Sequence, residues 1–148
     1  MLYELKVTKS VLNDTPQKSV CKAEDIVNHP LVKEIYENEV VQEVLSVVLL
    51  DKANKPICIK KIGMGGVSGT IIDNKLVAFY AVQSLASGVI IIHNHPSGTS
   101  NPSKADLDAT HKLQQGLKFL DIMLLDHIIL ADKEYFSFTE ECSFPKKW

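Results

Sequence analysis

Arginine is missing altogether: each of the 16 basic residues is a lysine, and the formal net charge is −2. The planar guanidinium fork that most often reads guanine or clamps phosphate is therefore unavailable, and no overall basic field draws in a polyanion. Both facts argue against direct DNA binding. Cysteine is scarce, with Cys21, Cys58 and Cys142 forming no C-x-x-C pair. Neither a disulfide framework nor a cysteine zinc cluster is suggested, and the usage fits a reducing cytosol. No apolar run approaches the ~20 residues of a membrane helix. The N-terminal MLYELKVTK carries charges where a signal peptide needs its apolar core. The expectation is a soluble, cytoplasmic protein with no membrane partner. Repeats and low-complexity segments are also lacking. What remains is a chain of 148 residues, 45% hydrophobic, enough for one domain with a sizeable core. Oligomeric state is not fixed by these features.

The chemistry is concentrated in VIIIHNHPSGTSNPSKAD, Val89 to Asp106. A β-branched run leads into His93 and His95, and side chains two apart on a strand share a face, so both imidazoles can converge on one ion. Pro96, Ser97, Gly98 and the following TSNP impose a turn and a loop. Ser103 then reopens regular structure as a helix N-cap, with Asp106 in the first turn on the same helix face. Its carboxylate can point back to the histidines as a third ligand. Each piece alone has an ordinary explanation: a hydrogen-bonded core histidine, a turn, a capping box. Together they give three N/O ligands and an open coordination position, the arrangement of catalytic rather than structural zinc.

The pattern H-x-H-x7-S-x2-D, filled by His93, His95, Ser103 and Asp106, resembles the signature of the JAMM (JAB/MPN-type) metalloproteases. HNHPSG, then DHIIL from Asp126 and SFTE from Ser137, resembles the bacterial RadC branch over roughly residues 40–141. The resemblance implies that His93, His95 and Asp106 hold Zn2+ and that Ser103 assists the substrate oxygen. Zinc lowers the pKa of a bound water to near ~7 and polarises a carbonyl. The family's general base is a glutamate upstream of the motif, and Glu43, directly before VLSVVLL, corresponds. Glu34, Glu37 and Glu39 are further carboxylates nearby, but only Glu43 sits at the mouth of an apolar strand. The implied function is a zinc hydrolase cutting a peptide or isopeptide bond in a peptide or protein substrate, in a family associated with DNA repair. The alternative is a non-enzymatic repair accessory or interaction module in which zinc is structural. Two departures stand out. The first forty residues are too few for the helix-hairpin-helix elements common in RadC proteins, and Lys75 stands where the family tends to have arginine.

The remaining pattern predicts a mixed α/β sheet flanked by helices, matching the three-layer JAMM/cytidine-deaminase-like architecture that the resemblance implies. Residues 1–39 read as an N-terminal extension packed on the core, and 40–148 as the RadC-like domain. Leu2 to Val11 reads as a strand, and Ala23 to Glu37 as helix broken near His29-Pro30. Val44 to Leu50 and Pro56 to Ile62 read as a hairpin. A helix over Asp73 to Ala86 is expected to stop at Ser87-Gly88. The motif strand follows, then a helix from Lys104 to about Phe119 and strands over Ile122 to Ala131 and Tyr135 to Phe138. His127 lies in an apolar strand and reads as a core histidine, or one bonded to a ligand, rather than a fourth ligand, which would fill the water position. Asp108 and His111 read as solvated. GMGGVSGT, Gly63 to Thr70, lacks the G-K-[ST] ending of a phosphate loop and reads as a loop or bulged strand.

Overall fold

The computed structural model describes residues 16–37, 39, 41–65, 72–132 and 134–141. The strand expected over Leu2 to Val11 lies outside the described residues, as does most of the Gly63 to Thr70 segment. Two short helices come first, α1 (Ala23–Val27) and α2 (Pro30–Tyr36). Pro30 opens α2 at its first position, where no N–H is needed, so the break at His29-Pro30 falls where proline demands it.

Strands β1 (Val44–Leu50) and β2 (Pro56–Met64) form the expected hairpin. The Asp51 carboxylate ties its turn by accepting from Ala53 and Lys55 N–H at 2.8 and 2.9 Å. Helix α3 (Asn74–Ser84) leads to β3 (Gly88–Asn94), α4 (Lys104–Lys118), β4 (Met123–Ala131), β5 (Glu134–Ser137) and a short α5 (Phe138–Glu141). Phe138, expected to close the last strand, instead opens α5. The sheet order is β2-β1-β3-β4-β5. Only β3 and β4 run parallel among these neighbours, joined by the α4 crossover.

Period-2 alternation sorts the central strands into two cores. On one face Val47, Leu49, Val89 and Ile91 pack with Val77 and Ala81 of α3 and Leu113 and Leu117 of α4. On the other, Val48, Leu50, Ile90 and Ile92 pack with Ala23, Ile26 and Val32 from α1 and α2. The result is a mixed sheet between two helical layers, and because β1 and β3 are buried on both faces, their sequences read as unbroken apolar runs.

The stop of α3 differs from expectation. Leu85, 82% exposed, takes the left-handed conformation at φ 56°, and its N–H and that of Ala86 close on carbonyls of the last turn. Gly88 begins β3 instead, and a Cβ there would lie 2.7 Å from Leu125 Cδ1. A register shift between Val89 and Ile90 places the extra residue, Leu125, in β4 and pairs Ile91 with His127. That bulge re-aims β4 so that His127 faces the same side as Ile91 and His93. No described helix is long and apolar enough to cross a membrane.

Candidate metal centre

The site forms where β3 leaves the sheet. His93 is the penultimate residue of β3, and His95 N–H bonds Leu130 O at 2.8 Å, so the chain stays extended one residue beyond the strand. The two imidazoles therefore keep a common face, with Nε2 atoms 2.8 Å apart. Asp106 enters from the first turn of α4: its Oδ1 lies 3.4 Å from His93 Nε2 and its Oδ2 3.6 Å from His95 Nε2. One ligand atom from each of the three lies within 4.8 Å of the others. His95 Nδ1 bonds the Thr99 carbonyl at 2.8 Å; a carbonyl only accepts, so that nitrogen carries the proton and Nε2 faces the cluster.

Ser103 caps α4. Its Oγ accepts the Asp106 N–H at 3.2 Å, while its own hydroxyl donates to Asp106 Oδ2 at 2.6 Å and its backbone N–H donates to the same oxygen at 2.8 Å. The resemblance implies that Ser103 assists the substrate oxygen; here its O–H is turned onto the carboxylate, because the capping-box partner and the candidate ligand are one side chain. Oδ2 serves the helix cap and Oδ1 stays directed at His93.

Electrostatics follow from burial and these bonds. Burial pushes His93 down to about 4, opposed by the Asp106 charge, so the imidazole stays neutral as a ligand must. His127 is held well below its ordinary range, again by burial first. His95 is raised, chiefly by its hydrogen bond to Asp106 and against desolvation. Burial alone would raise Asp106, yet the hydrogen bonds from His95 and Ser103 and the field of His93 hold its carboxyl far below the usual range. Two imidazoles and an ionised carboxylate form a donor set suited to zinc. Among the described residues these three groups are the set that could hold a metal ion.

Glu43 precedes β1, two residues before Leu45, which pairs with His93. Its charge reaches His95 and adds to the upward shift there. Its segment is fastened by the residue between the histidines: Asn94 Oδ1 accepts the Val44 N–H at 2.7 Å, and Nδ2 donates to Glu39 O at 2.8 Å and Gln42 O at 3.1 Å. Glu39 is tied in turn to Lys61 on β2 at 2.7 Å. Glu34 and Glu37 are exposed on the α2 side, and Asp108 and His111 are exposed on α4.

Two contributors, Thr110 and Asn94, escape sequence reasoning, whereas His127 is placed as expected, buried and bonded to a candidate ligand. Thr110 Oγ1 lies 2.6 Å from His127 Nδ1, and His127 Nε2 lies 2.7 Å from His93 Nδ1. His127 thus touches a candidate ligand without joining the cluster, and Thr110 stands behind it. The DH and SFT residues also interlock: Asp126 accepts from Ser137 Oγ at 2.6 Å, Thr139 N–H at 3.0 Å and His127 N–H at 2.8 Å. Phe138 between them stacks on the His127 ring, with centroids 4.7 Å apart and planes at 12°. Burial raises Asp126 to about 6 although those three donors pull it down. A cleft of about 730 Å³ lies on the α2 side of the His95 turn, lined by Val32, Tyr36, Asn94, His95, Pro96 and Tyr135 among others.

A mixed sheet that delivers two histidines from a buried strand and an aspartate from the following helix to one point defines a domain of the metal-binding JAB/MPN type. Residues 20–143 match the RadC-like JAB domain, and the chain belongs to that family. It is 40% identical over 106 residues to a UPF0758 protein of Flavobacterium johnsoniae, covering 72% of this chain and 46% of that one. A UPF0758 protein of Porphyromonas gingivalis is 43% identical over 101 residues, 68% of this chain and 44% of that one. One from Methanococcoides burtonii is 33% identical over 140 residues, 95% and 60% respectively. The chain spans about half the length of the curated relatives it matches.

Proposed function

We propose that the chain is a zinc-dependent hydrolase acting on a peptide or isopeptide bond. The observation that carries the reading is the convergence of His93, His95 and Asp106, one ligand atom from each within 4.8 Å of the others, the set of three found among the described residues. When bound, zinc supplies Lewis acidity, polarising the scissile carbonyl and making water nucleophilic near neutral pH.

The chain's residues supply the rest. Glu43 takes the proton of the attacking water and returns it to the leaving amine, a role supported by its place opposite the histidine turn and by the reach of its charge to His95. Ser103 lends its hydroxyl to the developing oxyanion by swinging from Asp106 Oδ2, 2.6 Å away in the resting site. The absent arginines and net charge of −2 favour a peptide over a nucleic acid as the substrate.

Purified protein is expected to contain close to one zinc, lost on His95→Ala. A Glu43→Gln variant should keep the metal and lose turnover of quenched-fluorescence peptides and an isopeptide-linked lysine substrate. Metal-free wild type, or equal turnover by Glu43→Gln, overturns the proposal.

A further inference from the structure

We propose that Thr110 and His127 are positioning residues which, through one directed chain of hydrogen bonds, decide which nitrogen of His93 is left bare for the cation. The inference rests on the reading of His93, His95 and Asp106 as a metal site. The chain begins at the Thr110 hydroxyl, which has one proton and two neighbours, Asp106 O at 2.5 Å and His127 Nδ1 at 2.6 Å. A carbonyl oxygen can only accept, so the proton goes to Asp106 and the oxygen accepts from His127 Nδ1–H. A neutral imidazole carries one proton, so His127 Nε2 is an acceptor. It lies 2.7 Å from His93 Nδ1, which must then be the N–H. His93 Nε2 is left with a lone pair, turned to His95 Nε2 at 2.8 Å and to Asp106 Oδ1 at 3.4 Å.

The surroundings hold this direction. His127 and Thr110 are both buried, and Phe138 is stacked on the His127 ring with the two planes at 12°. The reverse chain, with Thr110 donating to His127, would strip the Asp106 carbonyl of its hydroxyl partner and place a proton on His93 Nε2, where the ion must bind. Thr110 also closes a loop. It grips the backbone of Asp106, one candidate ligand, and through His127 the ring of His93, another, so the two ligands are oriented by a common residue.

The test reads the proton directly. Long-range 1H–15N spectra of the chelator-treated full chain at neutral pH report which nitrogen of each histidine is protonated. Wild type is expected to show Nδ1–H on both His93 and His127. Thr110→Val, isosteric but without the hydroxyl, should mix or reverse the two tautomers and weaken zinc, measured by chelator competition, by about 10- to 100-fold. Thr110→Ser should restore both. Wild type with the His93 proton on Nε2, or a Thr110→Val variant unchanged in tautomer and in affinity, overturns the inference. If the tautomers respond as stated but no variant takes up zinc, the proton chain stands and the metal reading falls.

Discussion

Asn94 and Val44 are joined by a 2.7 Å bond from the Val44 N–H to the Asn94 amide oxygen, so the residue between the two histidines holds the strand that follows Glu43. The pleat makes this possible: His93 and His95 face the α4 side while Asn94 faces the α2 side. One strand end thus presents two candidate ligands and anchors the candidate base.

Asn94→Ala should separate these roles. Three backbone groups, Val44 N–H, Glu39 O and Gln42 O, lose their partner, and leaving such groups unpaired costs about 1–3 kcal/mol. Zinc content is expected to stay near wild type while turnover falls, because the damage lies at Glu43. Metal analysis beside steady-state kinetics checks it, and loss of zinc in step with activity would contradict the division.

Ser103→Ala removes both the helix cap and the donor to Asp106. Cap loss should lower stability by ~1 kcal/mol in urea unfolding. If the hydroxyl also serves the oxyanion, kcat should drop by roughly 100-fold beyond any change in zinc affinity. A variant that loses stability but turns over normally would confine Ser103 to the cap.

Zinc affinity should fall as the medium is acidified. The proton on His95 is held above its ordinary range, chiefly by Asp106, and an ion binding at Nε2 must displace it. Below that raised pKa, affinity is expected to fall about tenfold per pH unit; as pH rises through it, the penalty disappears. Asp106→Asn removes the main cause and should move the apo-protein His95 midpoint down, readable from its ring proton shifts.

The Asp126 clamp predicts a pH-dependent stability of its own. With a folded pKa near 6, above the ordinary carboxylate value, the native chain binds this proton more tightly than the unfolded chain. The resulting stability is full below the unfolded pKa and is lost as pH rises through about 6. Asp126→Asn should flatten that part of a urea-midpoint profile between pH 4 and 7. Phe138→Ala, emptying a buried ring site beside His127, should cost about 3–5 kcal/mol.

How much was legible follows from how local each interaction is. The spacing of His93, His95, Ser103 and Asp106 is governed by strand and helix periodicity over a few residues, and the buried runs of β1 and β3 announce a sheet covered on both sides. Thr110, His127 and Asn94 reach partners 17 to 55 residues away, which only sheet register brings together. The Leu125 bulge that turns His127 inward has no local signature. Helix α3 ends at Ser84 rather than at Ala86 because Leu85 adopts a conformation that side chains other than glycine and asparagine seldom take.

The Asp106 carboxylate ties a helix start to the histidine cluster, since Oδ2 accepts from Ser103 while both oxygens lie within 3.6 Å of a histidine Nε2. If an ion binds there, loading should stiffen the opening turn of α4 and emptying should loosen it, so amide exchange at residues 104–107 would report occupancy without any substrate.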